Sequence, residues 1–197
     1  MSIYSSTETS DCSPCFQNLN NDIIEEDDRN LILSISQLIE EIIQKNRKKK
    51  IKIKKDCFYT NMIPKININE YLLRIVKYTK INISTLILSI ASITSLMRKN
   101  KNAICYNNIY KLIITSCLLN AKFYEDLTYS SNFFAKVGGI SIKELNYLEM
   151  EFYINCNFSL FKTEENYNTF LNFFLEKSKK YKNKKNKYLN FIWEINI

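Results

Sequence analysis

The chain contains no histidine, only two glycines and only two prolines among its 197 residues. Without histidine, Ser-His-Asp and Cys-His catalysis and the usual histidine-bearing zinc sites are excluded. The two glycines, Gly138 and Gly139, are adjacent, so neither a GxGxxG turn nor a P-loop is available to hold a nucleotide phosphate. We therefore expect no enzyme activity, no cofactor and no metal, and a protein that binds rather than reacts.

Six cysteines are spaced without a regular framework. Cys12 and Cys15 form a CxxC pair, but no second pair and no histidine follows, and the pair lies in a polar, acidic terminus. The N-terminus also lacks the charged region and apolar stretch of a signal peptide. We therefore expect reduced cysteines, and a location in the nucleus, the cytoplasm or both.

The net charge of +8 is unevenly placed along the chain. Residues 1–28 contain seven acidic residues and no lysine or arginine, and we interpret them as an acidic, disordered tail. Two basic runs, 45–55 and 177–187, offset this charge and suit contact with nucleic acid or a nuclear address. Runs of lysine and asparagine also form solvated linkers, and we favour that interpretation for both.

One stretch, residues 81–97, carries no charge and is 17 residues long, at the lower limit for a membrane span. Serine, threonine and asparagine interrupt it repeatedly. Its Leu86, Ile90, Ile93 and Met97 recur at helical spacing, as in a buried helix. We therefore expect a central helix of a globular core and no membrane partner.

The scarcity of glycine and proline, beside abundant leucine, isoleucine and lysine, favours an all-helical chain. Asn67 with Glu70, and Ser141 with Glu144, resemble capping boxes. The other expected helix starts are Asp27 or Asp28, Ser84, Asn107 or Asn108, and Thr163, with a short helix over 133–137 that ends at the glycine pair.

Three segments carry a resemblance to a known family. Residues 64–79, PKININEYLLRIVKYT, are similar to the opening P-x-I-S-I-x-x-Y-L-x-R-I-x-K-Y, and residues 112–126, LIITSCLLNAKFYED, to L-L-x-T-S-x-x-x-A-A-K-F-x-D-D. The third runs from 129 to 149 and includes FFAKVGGIS and ELNYLE. Together they resemble the cyclins, and within them the P-type, or U-type, cyclins related to those of the phosphate-response system.

The resemblance covers roughly residues 29–175 and implies an all-α fold, a single five-helix cyclin box preceded by an amphipathic helix. It divides the chain into an acidic tail, an N-terminal helix, a basic loop, the box and a basic C-terminal tail, at 1–28, 29–46, 47–63, 64–175 and 176–197. One departure stands out: where cyclins carry Y-I-D-R, this chain has Ser92-Ile93-Thr94-Ser95. The lost carboxylate is expected to pair with the residue that matches Arg74, which then needs another acceptor or water.

The resemblance also implies a function: the chain would bind and activate a cyclin-dependent Ser/Thr protein kinase in cell-cycle or nutrient signalling. The pair at the centre of the kinase contact corresponds to Lys122 and Glu149, with Phe123 and Leu148 beside it as contact or core residues. Kinase substrates or inhibitors are further possible partners. Two alternatives stay open. One is a DNA-binding transcription factor of the TFIIB type, which the lack of a zinc ribbon and of a repeat makes a weaker match; the other is a non-enzymatic helical scaffold.

Overall fold

A computed structural model of the chain describes residues 24–100 and 102–181. Within these residues the backbone forms seven α-helices and no strand, which confirms the all-α prediction and adds one helix to the five box helices and the preceding helix that the resemblance implies. The CxxC pair and most of both predicted tails lie outside the described residues. The helices are α1 Glu26–Lys48, α2 Ile68–Thr79, α3 Ile83–Lys99, α4 Ile109–Tyr124, α5 Ser131–Gly138, α6 Ile142–Asn155 and α7 Glu164–Tyr181.

The starts of α2, α6 and α7 follow the predicted caps. The Asn67 side chain accepts from the Glu70 backbone N–H at 2.8 Å, and the Ser141 hydroxyl accepts from the Glu144 N–H at 3.1 Å. Thr163 accepts in the same way from the Asn166 N–H at 3.3 Å. Each bond satisfies one of the backbone donors that a helix start leaves open, so local sequence determines these three boundaries.

The starts of α1 and α3 differ from the prediction. Helix α1 begins at Glu26, not after Asp28, because the acidic residues of its first turn face the positive end of the helix dipole. Helix α3 begins at Ile83, and its cap comes from far along the chain. The Glu125 carboxylate accepts from the Asn82 N–H at 2.8 Å and from the Thr85 hydroxyl at 2.6 Å. A cap from 43 residues away leaves no local signal, so Ser84 was the wrong start.

Helix α4 is the centre of the fold, since it packs against α2, α3, α5 and α6. Its apolar side chains before the last turn are buried, and a polar seam joins it to α3. The Ser116 hydroxyl donates to the Ser89 carbonyl at 2.9 Å, and Asn120 donates to the Ser116 carbonyl at 2.8 Å. These bonds satisfy the serines and the asparagine inside the interface, so the uncharged stretch 81–97 forms a buried helix. No helix among the described residues is long and apolar enough to cross a membrane.

The adjacent glycines end α5 for two different reasons. Gly139 has φ +71°, the left-handed conformation that glycine adopts without steric cost at a helix end. A Cβ on Gly138 would lie 2.6 Å from Cγ1 of Ile114, so only glycine allows α5 to approach α4 this closely. The Tyr71 hydroxyl then donates to the Gly138 carbonyl at 3.3 Å and connects this turn to α2.

The last helix closes the fold against the first. Lys177 is buried, and its Nζ donates to the Glu41 carboxylate of α1 at 2.6 Å. The interpretation of the run 177–187 as a solvated linker is therefore wrong for its first residue. Helix α7 also continues to Tyr181, past the predicted domain end at 175. Its packing against α1 stabilises this last part, which its lysine-rich sequence alone does not predict to be helical.

The first basic run is part helix and part ordered loop. Lys45, Arg47 and Lys48 lie in the last turn of α1, where cations match the negative end of the helix dipole. Beyond the helix, the Asn102 side chain accepts from the Lys54 N–H at 3.0 Å and donates to the Asp56 carboxylate at 2.8 Å. These bonds hold the loop against the connection between α3 and α4, so its backbone is more ordered than a linker.

Candidate functional site

Lys122 and Glu149, predicted from separate motifs, form an ion pair. Lys122 is in the last turn of α4 and Glu149 lies near the middle of α6, and Nζ to Oε1 is 2.6 Å. The side chains are 40% and 19% exposed, so the pair sits at the protein surface and not in the core. The two helices therefore present one cation and one anion side by side to any molecule that covers this face.

A second ion pair joins the same helices and provides a comparison. Lys111 Nζ lies 2.7 Å from Oε1 of Glu144, at the start of α4 and in the first turn of α6. Eleven residues separate Lys111 from Lys122, about 16 Å along a helix. Both pairs are partly exposed, and they lie near opposite ends of α4.

The two residues predicted beside the pair have different positions. Phe123 is 48% exposed, and its ring meets that of Tyr124 edge to face, with centroids 4.8 Å apart. Leu148 is fully buried in the core and presents no surface to a partner. Its place on the candidate surface is thus corrected: Leu148 supports Glu149 from inside α6, while Phe123 can touch a partner.

Several apolar side chains that the sequence did not single out are exposed on α6, which also carries Glu149, and on the segment that follows it. With Phe123 they form what we call the apolar rim, whose members are between 46% and 65% exposed: Phe123, Met150, Ile154, Phe158 and Phe161. Clusters of exposed apolar groups mark interaction surfaces in soluble proteins. The signal was present in α6, where apolar residues occur on more sides than one buried stripe requires.

The turn after α6 holds Phe158 in an unfavourable backbone conformation. Asn157 and Phe158 have φ +53° and +57°, in the left-handed region that few residues other than glycine adopt. Asparagine tolerates it, but for a bulky residue it is a true outlier. The turn projects Phe158 outward, 64% exposed, with its ring edge-on to Tyr153 at 5.1 Å. Strain of this kind is concentrated at functional sites.

Tyr124 fixes the segment that follows this turn. Its hydroxyl donates to the Leu160 carbonyl at 3.1 Å and accepts from the Lys162 N–H at 2.9 Å. Because Glu125 also caps α3, the end of α4 is bonded on both sides. The ion pair and the apolar rim therefore lie on a rigid support, which limits the entropy lost when a partner binds.

The side chain of Arg74 is exposed, as its lost acidic partner predicts. Thr94, at the position of that acid, donates its hydroxyl to the Ile90 carbonyl at 2.9 Å, within its own helix. An exposed guanidinium needs no protein acceptor, so this departure leaves the fold intact.

The thiols of the described residues are poor nucleophiles. Burial raises the pKa of Cys117 to about 12 and that of Cys156 to about 11, and burial together with Asp56 raises that of Cys57 to about 11. Protonated thiols at neutral pH neither attack carbonyl groups nor hold metal ions. Among the described residues, no three histidine, cysteine or carboxylate side chains come together as metal ligands. These thiols are therefore not activated nucleophiles.

The sequence of the chain is similar to those of known proteins. Residues 18–160, which include α1 to α6, match the family model described as Cyclin. Cyclin-U4-3 of Arabidopsis thaliana is 33% identical over 141 residues, 71% of this chain and 64% of the relative. Cyclin-U4-1 of the same plant is 32% identical over 148 residues, 73% of each chain.

A fungal relative extends the comparison beyond plants. PHO85 cyclin-7 of Saccharomyces cerevisiae is 34% identical over 129 residues, 59% of this chain and 45% of the relative. The matches thus span between about half and three quarters of the length of these relatives. Both Lys122 and Glu149 fall inside the residues that the family model covers.

Proposed function

The chain belongs to the cyclin family, with relatives among the U-type and P-type cyclins, and from this premise we propose that it is the activating subunit of a cyclin-dependent Ser/Thr protein kinase. It binds the C-helix face of the kinase and contributes no catalytic group. The kinase supplies the active site, and the substrates are those of the complex. The proposed setting is cell-cycle or nutrient signalling in the nucleus or the cytoplasm.

One observation carries this proposal: the Lys122–Glu149 pair is surface-exposed, and the same two helices and the segment after α6 carry the exposed side chains of the apolar rim. An isolated surface ion pair contributes about 0–1 kcal/mol to stability, so stability alone gives little reason for it. Exposed apolar groups beside a few charges have the composition of a protein interface, whose core is apolar and whose edge is polar. When a partner covers the rim, the pair loses water and its charges become strong determinants of orientation.

Activation follows from selective binding to one state of the kinase. A protein kinase needs its C-helix glutamate against the lysine that holds the ATP phosphates. A rigid surface that fits only this arrangement stabilises it at the expense of the inactive one. Moving an equilibrium from 1:99 to 99:1 requires about 5.5 kcal/mol of differential affinity. The rigid support that Tyr124 and Glu125 give to the end of α4 makes this surface suitable for such discrimination.

The proposal is tested by reconstitution with purified cyclin-dependent kinases from the source organism. We expect one of them to bind the full chain and to phosphorylate a peptide substrate at least tenfold faster with it than alone. The chain by itself should show no ATP turnover. A folded chain that binds none of these kinases, or that hydrolyses ATP without one, would contradict the proposal.

A further inference from the structure

A cleft of about 530 Å³ lies between the last turn of α3 and the segment that links α6 to α7. We call it the basic cleft. Its polar lining consists of three cations, hydroxyls and one thiol, contributed mainly by Ser95, Arg98, Lys99, Cys156, Ser159 and Lys162. Among the described residues, no aspartate or glutamate lines it. The cleft is thus a concave site with an excess of positive charge.

Lys162 is the residue of the basic cleft whose positive charge is least neutralised by nearby groups. It is half-buried, and the one hydrogen bond of its ammonium group among the described residues is a long one of 3.5 Å to the Ser95 hydroxyl. An ammonium group has three donors. Burial lowers the pKa of Lys162, and the neighbouring Arg98 lowers it further. The Cys156 thiol is no counterion at neutral pH, because burial raises its pKa to about 11.

The dipole of α3 stabilises two of the three cations of the basic cleft, and the third lies outside that helix. Arg98 and Lys99 belong to the last turn of α3, where cations offset the partial negative charge of the helix end. Lys162 comes from a different segment, which Tyr124 holds in place through the Lys162 N–H at 2.9 Å. The backbone therefore holds a half-buried ammonium beside two other cations, an arrangement that an anion would stabilise.

We propose that the basic cleft binds a phosphate group, carried by a phosphoserine or phosphothreonine or by a small phosphate ester. A phosphate monoester has a charge between −1.5 and −2 at pH 7 and three strong acceptor oxygens, which suit the ammonium donors of Lys162 and Lys99 and the hydroxyl of Ser95. The volume is in the range of pockets that hold a small organic ligand, so the group bearing the phosphate also fits. The exposed ring of Phe161 lines the cleft and offers that group an apolar contact.

The test is calorimetric titration of the full chain with three probes: inorganic phosphate, a short peptide with one phosphoserine, and the same peptide unphosphorylated. We expect the phosphopeptide to bind, the unphosphorylated peptide to give no heat, and affinity to fall as salt rises. Binding of inorganic phosphate with at least equal affinity would identify a small phosphate as the source, and weaker binding would identify the peptide. Absence of heat from both phosphorylated probes would overturn the proposal.

Variants locate the binding. Lys162→Gln should weaken phosphopeptide binding at least tenfold, whereas Lys143→Gln, the same change at an exposed lysine near the start of α6, should not affect it. Thermal melting should show both variants folded. If Lys162→Gln does not fold, Lys99→Gln, at an exposed position of the cleft, replaces it in the test and should also weaken phosphopeptide binding. Equal affinity of folded Lys162→Gln and the unaltered chain would overturn the proposal.

A peptide with the sequence of residues 1–28 completes the design, because these residues carry seven carboxylates and no cation. If it bound as tightly as the phosphopeptide, the cleft would recognise carboxylates and the assignment to phosphate would be wrong. The outcome is independent of the kinase assays. A chain that binds phosphate but no kinase would retain this inference and lose the proposed function, and the reverse result would do the opposite.

Discussion

Reversing one charge of the Lys122–Glu149 pair separates its two possible roles. In the unaltered chain the Lys122 ammonium lies 2.6 Å from the Glu149 carboxylate, and Lys122→Glu replaces this ammonium with a second carboxylate. If the pair only joins α4 to α6, the consequence is limited to the stability of the chain. If the pair lies at the centre of a kinase contact, binding suffers far more than folding.

The structure allows the two magnitudes to be estimated. The pair lies at the protein surface, with 40% of the Lys122 side chain and 19% of the Glu149 side chain exposed, and its loss should cost about 1 kcal/mol of stability or less. Covered by a kinase, the reversed charge has no water and no partner, at a cost of about 2–5 kcal/mol. This corresponds to an affinity loss between about 30-fold and several thousand-fold.

Titration of the cognate kinase with each variant measures the affinity, and circular dichroism with thermal melting measures the fold. Glu149→Lys should behave like Lys122→Glu. Lys111→Glu is the matched control, because it breaks the other ion pair between α4 and α6 away from the apolar rim. It should lower stability to a similar extent and leave kinase affinity within about twofold.

Three outcomes would refute this reasoning. Near-native affinity of both reversals would place the interface on another face of the chain. Equal loss of affinity in Lys111→Glu would show that any break between α4 and α6 disturbs binding indirectly. Full recovery in the swapped double variant, Lys122→Glu with Glu149→Lys, would show that the kinase senses the pair and not the sign of either charge.

Three further predictions concern stability. Gly138→Ala should destabilise the chain more than Gly139→Ala. The new Cβ of Gly138→Ala would lie 2.6 Å from Ile114, an overpacking that costs about 1–3 kcal/mol, whereas Gly139→Ala only places alanine in a left-handed backbone conformation, at a cost of about 1 kcal/mol. Urea denaturation of both variants measures the difference. Phe158→Gly should raise the melting temperature by relieving its φ of +57°, yet weaken kinase binding; a lower melting temperature would contradict the strain. Burial raises the pKa of Cys117 from 9.0 to about 12, so the thiol of the unfolded chain loses its proton at a lower pH than the thiol of the folded chain. The contribution of this thiol to stability should therefore be full below pH 9 and fall from pH 9 toward 12. A melting temperature that is constant over this interval would contradict the prediction.

Local sequence determined much of the fold and of the site. The caps at Asn67, Ser141 and Thr163 and the glycine end of α5 are confirmed, because each depends on residues within one turn. The pairing of Lys122 with Glu149 was also expected, but through resemblance and not through any rule that links residues 27 apart.

What the sequence did not reveal depends on contacts between distant residues. The Glu125 cap of α3 and the burial of Lys177 both arise from partners on other helices. The inward position of Leu148 and the outward position of its neighbours on α6 depend on where α4 lies, and α6, whose apolar residues occur on several sides, does not encode that choice. The same holds for the basic cleft, whose cations come from residues 98–99 and 162.

The packing of α7 on α1 has a consequence for how the chain is made. Glu41 and its partner Lys177 are separated by 136 positions, and synthesis at about 5–20 residues per second puts roughly 7–27 s between their appearance on the ribosome. During that interval α1 can be covered by α2 but not by the helix that completes its burial. Newly synthesised molecules therefore present an open apolar groove to the cell, and a premature stop before α7 would leave that groove open permanently, as a target for chaperones and proteases.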